Sequence, residues 1–155
     1  WSTDWGECFF ELRLLPQLEL SRNWGLKTTS ILKISSLFIK YLNLHKPIPS
    51  LVHGDLWSGN SFIHSDEKGV ILDPAVWWAD REVDIAMTRM FGGYSNEFYC
   101  AYENIWPLDI DSKERIDIYN LYHLLNHANL FGGSYQTQAR NQLEKIKQFL
   151  LNKNL

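Results

Sequence analysis

The chain has 155 residues, of which 45% are hydrophobic and 21% are charged, and its formal net charge is −3. This length and composition fit one globular domain with its own core and exclude a disordered or fibrous chain. Without a basic excess, the attraction that drives binding to phosphate backbones is missing, so no nucleic-acid partner is expected. No leader and no apolar run of about 18 residues is found, so no export or membrane span is expected. Cys8 and Cys100 lack metal-ligand spacing and indicate reduced thiols in a cytoplasmic protein.

The first third of the chain is predicted to be helical. Ser2, Thr3 and Asp4 are candidate N-caps for a first helical stretch, in which Pro16 is expected to cause a kink or a stop. The HKPIPS segment ends the helical region, because each Pro disfavours helix at the residue before it. Between these points, apolar residues at steps of three and four predict one amphipathic helix: Ile31, Ile34, Phe38 and Tyr41.

After this break, short β-type runs replace the helical period. Residues 61–64 and 70–73 are predicted to pair as an antiparallel hairpin across the turn SDEKG, and the run LVH leads into the loop before it. Three helices are expected next, in REVDIAMTRMF, SNEFYCAYENIW and DSKERIDIYNLYHLLNHANLF, because each runs from a polar start to a Gly or Pro stop. A closing helix should bury one face formed by Ala139, Leu143, Ile146 and Leu150.

The segment LVHGDLWSGN and the later ILDPA carry the chemistry that the sequence predicts. Phosphoryl transfer from ATP needs an Asp beside the acceptor hydroxyl and oxygen ligands for the Mg²⁺ that bridges the phosphates. In kinases the pattern His-x-Asp-x₄-Asn supplies the Asp and one metal ligand, and His53, Asp55 and Asn60 match its spacing. Asp73 takes the place of the Asp in the protein-kinase DFG segment. The Pro-Ala that follows it favours a small-molecule kinase over a protein kinase.

With SLVHGDLWSGN, DPA, REVDIAMTRMFGGY, FYCAY and YNLYHLLNHANLFGGSY, the chain resembles the fructosamine kinases, or ketosamine-3-kinases, from about residue 1 to about residue 150. The resemblance implies a mainly α fold with a small β-hairpin. This would be the C-terminal lobe of a protein kinase-like, aminoglycoside phosphotransferase-like fold whose N-terminal lobe is absent. Residues 1–49 would be leading helices, residues 50–75 the catalytic loop and metal-binding hairpin, and residues 76–155 a helical subdomain.

The resemblance also implies the activity and the roles of the site residues. The reaction would be ATP-dependent phosphorylation of ketosamines, meaning fructosamine-type glycated amines, free or on proteins. Asp55 would be the base, and Asn60 and Asp73 would hold Mg²⁺. His53 and Asp84 are expected to support the loop. Three rings are candidates for the wall behind the sugar, with core packing as the alternative: Trp57, Trp77 and Trp78.

Two other functions stay open at this point. The acceptor hydroxyl could belong to an aminoglycoside, choline or a sugar, or the lobe could be a non-catalytic scaffold. The sequence begins without Met and contains no ATP-cradling Gly-rich loop, which predicts that the natural start lies upstream. Alone, this chain is expected to bind nucleotide poorly, to turn over slowly or not at all, and to self-associate through exposed apolar surface.

Overall fold

A computed structural model describes residues 4–153 of the chain. These residues form two compact units, one made of residues 4–47 and 121–153 and the other of residues 48–120. Of the three candidate caps, Ser2 and Thr3 lie outside the described residues. Asp4 caps the first helix, because its side chain accepts a hydrogen bond of 2.7 Å from the backbone N–H of Glu7.

The described part is mainly helical. In chain order its α-helices are α1 (Trp5–Phe9), α2 (Leu15–Ser21), α3 (Thr29–Leu32), α4 (Ser35–His45), α5 (Glu82–Thr88), α6 (Asn96–Ile105), α7 (Ser112–Phe131) and α8 (Ser134–Asn152). A π-helical turn spans Phe10–Leu14, and 3₁₀ turns span Arg22–Trp24 and Ser58–Asn60. The strands are β1 (Ser50–Val52), β2 (Ser61–Ile63), β3 (Gly69–Ile71) and β4 (Trp77–Ala79). Within residues 4–153, no helix combines the length and the apolar character needed to cross a membrane.

In the first unit, one of the two alternatives for Pro16 is excluded and one helix prediction is wrong. The helical path does not stop at Pro16, because this residue lies in the first turn of α2, where a missing N–H costs little. Just before α2, the chain forms a π-helical turn in which the N–H of Leu15 bonds to the carbonyl of Phe10, five residues earlier. The single helix expected around Ile34 is in fact two helices, α3 and α4. Ile34 lies between them with φ −112° and ψ 16°, which is outside helical geometry, and its side chain is only half-buried.

The core of the first unit is built from the apolar faces of its helices. The rings of Phe10 and Phe38 meet edge to face at 5.3 Å. The closing helix α8 buries the face that the sequence predicts, which confirms its period: Ala139, Leu143, Ile146 and Leu150. The guanidinium of Arg140 ties α8 to the N-terminal segment, because it donates to the carbonyls of Trp24 and Gly25 at 3.1 Å each.

The helices α1 and α4 approach each other closely at Gly6. A Cβ atom at this residue would lie 2.3 Å from the carbonyl oxygen of Ile39. The Gly6 N–H donates to the side chain of Asn43 at 2.7 Å, and the Asn43 amide donates in turn to Asp4 at 2.8 Å. The absence of a side chain at Gly6 therefore permits both the packing and the hydrogen bonds.

His123 is a buried ionisable residue on α7 that the sequence analysis did not single out. Its side-chain Nε2 has no hydrogen-bond partner among the described residues. Burial, with smaller contributions from the charges of His127 and Arg13, lowers the pKa of His123 to about 3. The imidazole is therefore neutral in the folded protein at neutral and mildly acidic pH.

The second unit contains two small antiparallel sheets. The predicted hairpin is confirmed as β2 paired with β3, with slightly shorter strands than expected: Ser61 lies opposite Ile71, Phe62 opposite Val70 and Ile63 opposite Gly69. The other sheet was not predicted and joins β1 to β4: Ser50 lies opposite Ala79, Leu51 opposite Trp78 and Val52 opposite Trp77. The sheet formed by β1 and β4 fixes the position at which the chain enters the catalytic loop.

Buried polar groups anchor α5 within this unit. The guanidinium of Arg115 makes two hydrogen bonds of 2.8 and 2.7 Å to the carboxylate of Glu82, and both side chains are almost fully buried. The hydroxyl of Tyr119 donates to Asp80 at 2.7 Å. A bidentate arginine–carboxylate pair has a defined geometry, so these bonds fix the N-terminal end of α5.

The packing at Gly6 predicts that Gly6→Ala destabilises the protein. Alanine should contribute roughly 0.5–1 kcal/mol to helix α1, but overpacking against a backbone carbonyl should cost about 1–3 kcal/mol. We expect a net fall in the free energy of unfolding, measured with urea. Gly69→Ala is the matched control, because among the described residues only Gly69 itself and its two chain neighbours can lie within 4 Å of the added Cβ. Equal stability of the two variants would contradict the close packing.

The burial of His123 predicts a pH-dependent stability. Its folded pKa of about 3 lies below the unfolded value of about 6.5. The unfolded chain therefore binds a proton that the folded chain does not, and this contribution to stability is lost as the pH falls below about 6.5.

Between pH 7.5 and 5.0 we expect His123 to account for a loss of about 2 kcal/mol in the free energy of unfolding. Urea unfolding at both pH values should show a smaller loss for His123→Gln than for the wild-type chain. His127→Gln should keep the wild-type loss. The same pH dependence in all three proteins would rule out a neutral buried His123.

Candidate active site

The loop that follows β1 turns sharply at Gly54. The φ of Gly54 is 83°, and an added Cβ would lie 2.2 Å from the carbonyl oxygen of Ala75. Such a φ is strained for residues with a Cβ, and the short distance leaves no room for one. Gly54 thus allows the loop to lie against the DPA segment, and it sets the position from which Asp55 projects.

Asp84, in the first turn of α5, holds the same turn from another element. Its two carboxylate oxygens accept hydrogen bonds from the backbone N–H groups of His53 at 2.7 Å and Gly54 at 2.8 Å. Burial raises the pKa of the Asp84 carboxyl, and the two hydrogen bonds oppose this shift. Each carboxylate oxygen of Asp84 thus holds the backbone N–H of one of the two residues that precede Asp55.

His53 is buried and connects the loop to the residues on both sides of Asp73. Its Nε2 lies 2.7 Å from the carbonyl oxygen of Leu72, and its Nδ1 lies 3.3 Å from the N–H of Asp55. Since the first partner is an acceptor and the second a donor, the neutral tautomer with hydrogen on Nε2 satisfies both. The backbone N–H of Ala75 donates to the His53 carbonyl at 2.8 Å.

Asn60 contacts Asp55 directly. The Asn60 side-chain nitrogen donates to the Asp55 carbonyl at 2.9 Å and to the Asp55 carboxylate at 3.1 Å. Both partners are acceptors, so the amide nitrogen must face them and the amide oxygen must point away. The backbone carbonyl of Asn60 accepts a hydrogen bond from the backbone N–H of Leu72 at 2.9 Å. The loop and the end of the hairpin are therefore bonded together next to Asp73.

The side-chain oxygens of Asn60 and Asp73 are of the chemical type that a magnesium ion binds. Asp73 is exposed and adopts a φ of 50°, and its neighbours Leu72 and Ala75 are bonded to the loop. The amide oxygen of Asn60 is not occupied by the bonds of its own nitrogen. Carboxylate and amide oxygens are the ligands that Mg²⁺ prefers, so Asn60 and Asp73 form a suitable donor set.

The three candidate tryptophans lie in different surroundings. Trp77 and Trp78 are successive residues of β4, whose side chains point to opposite faces of the strand. Trp77 is half-buried, with its ring 3.3 Å from the Cβ position of Gly54, whereas Trp78 is 53% exposed. Trp57 is 37% exposed, and its ring packs edge to face on Phe91 at 5.9 Å. Trp77 and Trp78 therefore face opposite sides of β4, and sugar contact by any of the three rings stays a prediction.

A segment after α5 also contacts the catalytic loop, and the sequence analysis assigned no role to its Phe91 or Tyr94. The hydroxyl of Tyr94 lies 2.7 Å from Oγ of Ser61 and 3.3 Å from the carbonyl oxygen of Trp57. Oγ of Ser58 donates to the carbonyl of Phe91 at 3.2 Å. The Gly92-Gly93 pair, with φ values of 87° and 73°, gives the turn that brings both residues to the loop.

A pocket of about 350 Å³ lies beside the loop, within the second unit. Leu56 and Asp84 line it, together with the aromatic rings of Phe98, Tyr102 and Trp106. Such a mainly apolar lining suits an apolar group and offers few hydrogen-bond partners to a polyhydroxy sugar.

Comparison with known proteins places the chain among kinase-like proteins. The fructosamine kinase family model matches residues 1–149. The chain belongs to the fructosamine kinase family, and the resemblance found in its sequence is confirmed.

A "Probable ketoamine kinase" from Vibrio cholerae is 46% identical over 147 residues, covering 94% of this chain and 50% of that protein. Another from Synechocystis is 45% identical over 149 residues, covering 94% of this chain and 49% of that protein.

Solved structures agree with this assignment. A candidate fructosamine-3-kinase from Haemophilus somnus matches with a TM-score of 0.85 and 35% identity, over 94% of this chain and 50% of that one. A second, from Thermobifida fusca, matches with a TM-score of 0.79 and 29% identity, over 98% of this chain and 52% of that one. The chain therefore spans about half the length of the relatives that it matches.

The bonds to Asp84 predict a specific local effect of Asp84→Asn. The amide side chain can accept from only one of the two N–H groups, and its own NH₂ group would face the other. Losing one hydrogen bond to a charged group, worth about 1.5–3 kcal/mol, should accelerate amide hydrogen exchange at residues 53 and 54 roughly 10- to 100-fold.

Nuclear magnetic resonance can follow this exchange residue by residue. Asp66→Asn is the control, because Asp66 is an exposed carboxylate in the hairpin turn, paired with Lys68 at 2.7 Å. Its exchange at residues 53 and 54 should be that of the wild-type chain. Unchanged exchange in Asp84→Asn would show that Asp84 does not hold the loop.

Proposed function

We propose that this chain carries the catalytic residues of a kinase that transfers the γ-phosphoryl group of ATP to a ketosamine hydroxyl. Family membership supports the reaction class, and the names of the relatives support the ketoamine acceptor. The observation that carries the proposal is the contact between Asp55 and Asn60, on a loop held by Asp84. In kinases an Asp and an Asn at this spacing are the base and a metal ligand.

In this mechanism Asp55 acts on the acceptor. One of its carboxylate oxygens accepts from Asn60, and the other is left to accept the proton of the substrate hydroxyl. The hydroxyl oxygen attacks the γ-phosphorus, the bond from that phosphorus to ADP breaks, and the hydroxyl proton passes to Asp55. Positioned proton transfer of this kind contributes about 10²–10⁴-fold to the rate.

Asn60 and Asp73 would hold Mg²⁺, which neutralises charge on the phosphates of ATP when it is bound. The support is the donor set: an amide oxygen that faces away from Asp55 and an exposed carboxylate. His53 supports the loop from a buried position in this scheme and exchanges no proton with the substrate. Its two ring nitrogens are both satisfied, by the Leu72 carbonyl and by the Asp55 N–H.

Trp57, two residues after Asp55, also supports a sugar-bearing substrate as the acceptor of the phosphoryl group. Its part-exposed ring offers an apolar face on which a sugar could pack. The sequence Trp-Ser-Gly-Asn at residues 57–60 favours a ketosamine over an aminoglycoside or choline. Loss of the phosphorylated sugar would then free the amine, so the physiological role would be deglycation in the cytoplasm.

We further propose that the chain corresponds to the C-terminal lobe of the kinase fold. The support is its coverage of about half of each relative's length. The 155 residues contain no Gly-rich loop to cradle ATP. Alone, they should therefore turn over slowly or not at all. Exposed apolar residues on the hairpin, such as Phe62, Ile63 and Ile71, favour self-association of the isolated chain.

The test uses the gene product that carries this chain, incubated with ATP, Mg²⁺ and fructosyl-lysine. Mass spectrometry should show addition of phosphate to the sugar, and Asp55→Asn should lower kcat about 10²–10⁴-fold. Asp111→Asn, a change at an exposed carboxylate, serves as the control and should keep wild-type activity.

Two results would overturn the proposal in different ways. If ATP binds but fructosyl-lysine is not phosphorylated, the acceptor is wrong, and a panel of aminoglycosides, choline and sugars replaces it. If Asp55→Asn is as active as the wild-type protein, Asp55 is not the base.

A further inference from the structure

We propose that Tyr94 is a positioning residue for the magnesium ligand Asn60. Its hydroxyl would hold the backbone on both sides of Asn60, so that the amide oxygen keeps one direction. The inference rests on the proposed function, because it takes Asn60 as a metal ligand. It adds a residue that lies 34 positions after Asn60 in the sequence and whose hydroxyl contacts Trp57 and Ser61.

The hydroxyl of Tyr94 contacts one group before Asn60 in the chain and one group after it. Oγ of Ser61, the residue directly after Asn60, lies 2.7 Å from it, and the carbonyl oxygen of Trp57 lies 3.3 Å from it. The same Trp57 carbonyl accepts the backbone N–H of Asn60 at 2.9 Å. A hydroxyl has one proton, so Tyr94 shares its proton between Oγ of Ser61, at the shorter distance, and the carbonyl of Trp57.

Tyr94 is itself held in place. Its backbone N–H donates to the hydroxyl of Tyr99 at 3.3 Å, and that hydroxyl donates to the carbonyl of Thr88, in the last turn of α5, at 3.2 Å. Its ring meets the ring of Phe98 edge to face at 4.7 Å. Tyr94 is therefore held directly by residues of α6, and the hydroxyl of Tyr99 connects it to α5.

A second pair of contacts supports the same stretch. Phe91 packs on the ring of Trp57, and the carbonyl of Phe91 accepts from Oγ of Ser58. Residues 91 and 94 thus hold residues 57, 58 and 61, and Asn60 lies within this span. Within the loop, the Asn60 amide nitrogen is fixed by Asp55. The two sets of bonds together leave the amide oxygen little freedom.

A magnesium site is sensitive to small errors in such an arrangement. Mg²⁺ demands near-ideal octahedral geometry, and removing a group that orients a metal ligand typically costs about 10–100-fold in metal affinity. Tyr94→Phe deletes only the hydroxyl and keeps the ring on Phe98. We therefore expect weaker metal binding with little change in the packing of α6.

The test measures metal affinity directly and through activity. With the intact gene product and ATP, electron paramagnetic resonance with Mn²⁺ as the probe should show about 10-fold weaker binding in Tyr94→Phe. The Mg²⁺ concentration for half-maximal phosphorylation of fructosyl-lysine should rise by a similar factor, whereas kcat at saturating Mg²⁺ should change less. Ser61→Ala should give a similar shift, and the double variant should show less than the product of the two shifts.

Tyr102→Phe is the matched control, since this tyrosine lies on α6 with its ring over the guanidinium of Arg81. It should leave the Mn²⁺ affinity unchanged. An unchanged Mn²⁺ affinity in Tyr94→Phe overturns the inference, also when kcat or urea stability falls, because that pattern means a purely structural role. If the wild-type protein binds Mn²⁺ with ATP but phosphorylates no ketosamine, the proposed acceptor fails. The comparison of Mn²⁺ affinities still decides the role of Tyr94.

Discussion

One carboxylate holds the turn on which the candidate site depends. Asp84 lies on a helix, and its two oxygens bind the backbone N–H groups of His53 and Gly54. A half-buried charge is costly unless it is hydrogen-bonded, and here both bonds go to the two residues that precede Asp55. The direction of the Asp55 side chain therefore depends on α5, which is fixed in turn by the buried pair of Glu82 and Arg115.

The site follows a common rule, in which reactive oxygens are placed through the bonds of their neighbours. Asp73 is placed by the backbone bonds of Leu72 and Ala75, and Asn60 is placed through its nitrogen and its backbone. The oxygens that the proposed chemistry needs are not consumed by these bonds. A site built in this way is organised before ligands arrive and loses little of their binding energy to rearrangement.

The sequence predicts the local features of this fold well and its long-range features poorly. The period of the closing helix and the β2–β3 hairpin follow from local pattern and turn chemistry. The pairing of β1 with β4 joins segments about 27 residues apart and depends on tertiary packing, which no local period records. Because β4 was not predicted, the opposite directions of Trp77 and Trp78 were not expected either. The spacing of Asp55 and Asn60 identified a candidate pair. The hydrogen-bond partners of Asp84 and of the Tyr94 hydroxyl could not be predicted, because they lie 30 to 37 residues away in the chain.

The backbone at Asp73 has a consequence for how this protein can change. Its φ of 50° lies in the left-handed region, which glycine occupies freely and which aspartate and asparagine tolerate better than most residues. Local backbone energy and the proposed chemistry therefore favour different residues here, because glycine would relax the turn while removing the carboxylate. Laboratory evolution for heat resistance alone would tend to drive this position toward an inactive solution. Selection for stability should thus be coupled to selection for turnover.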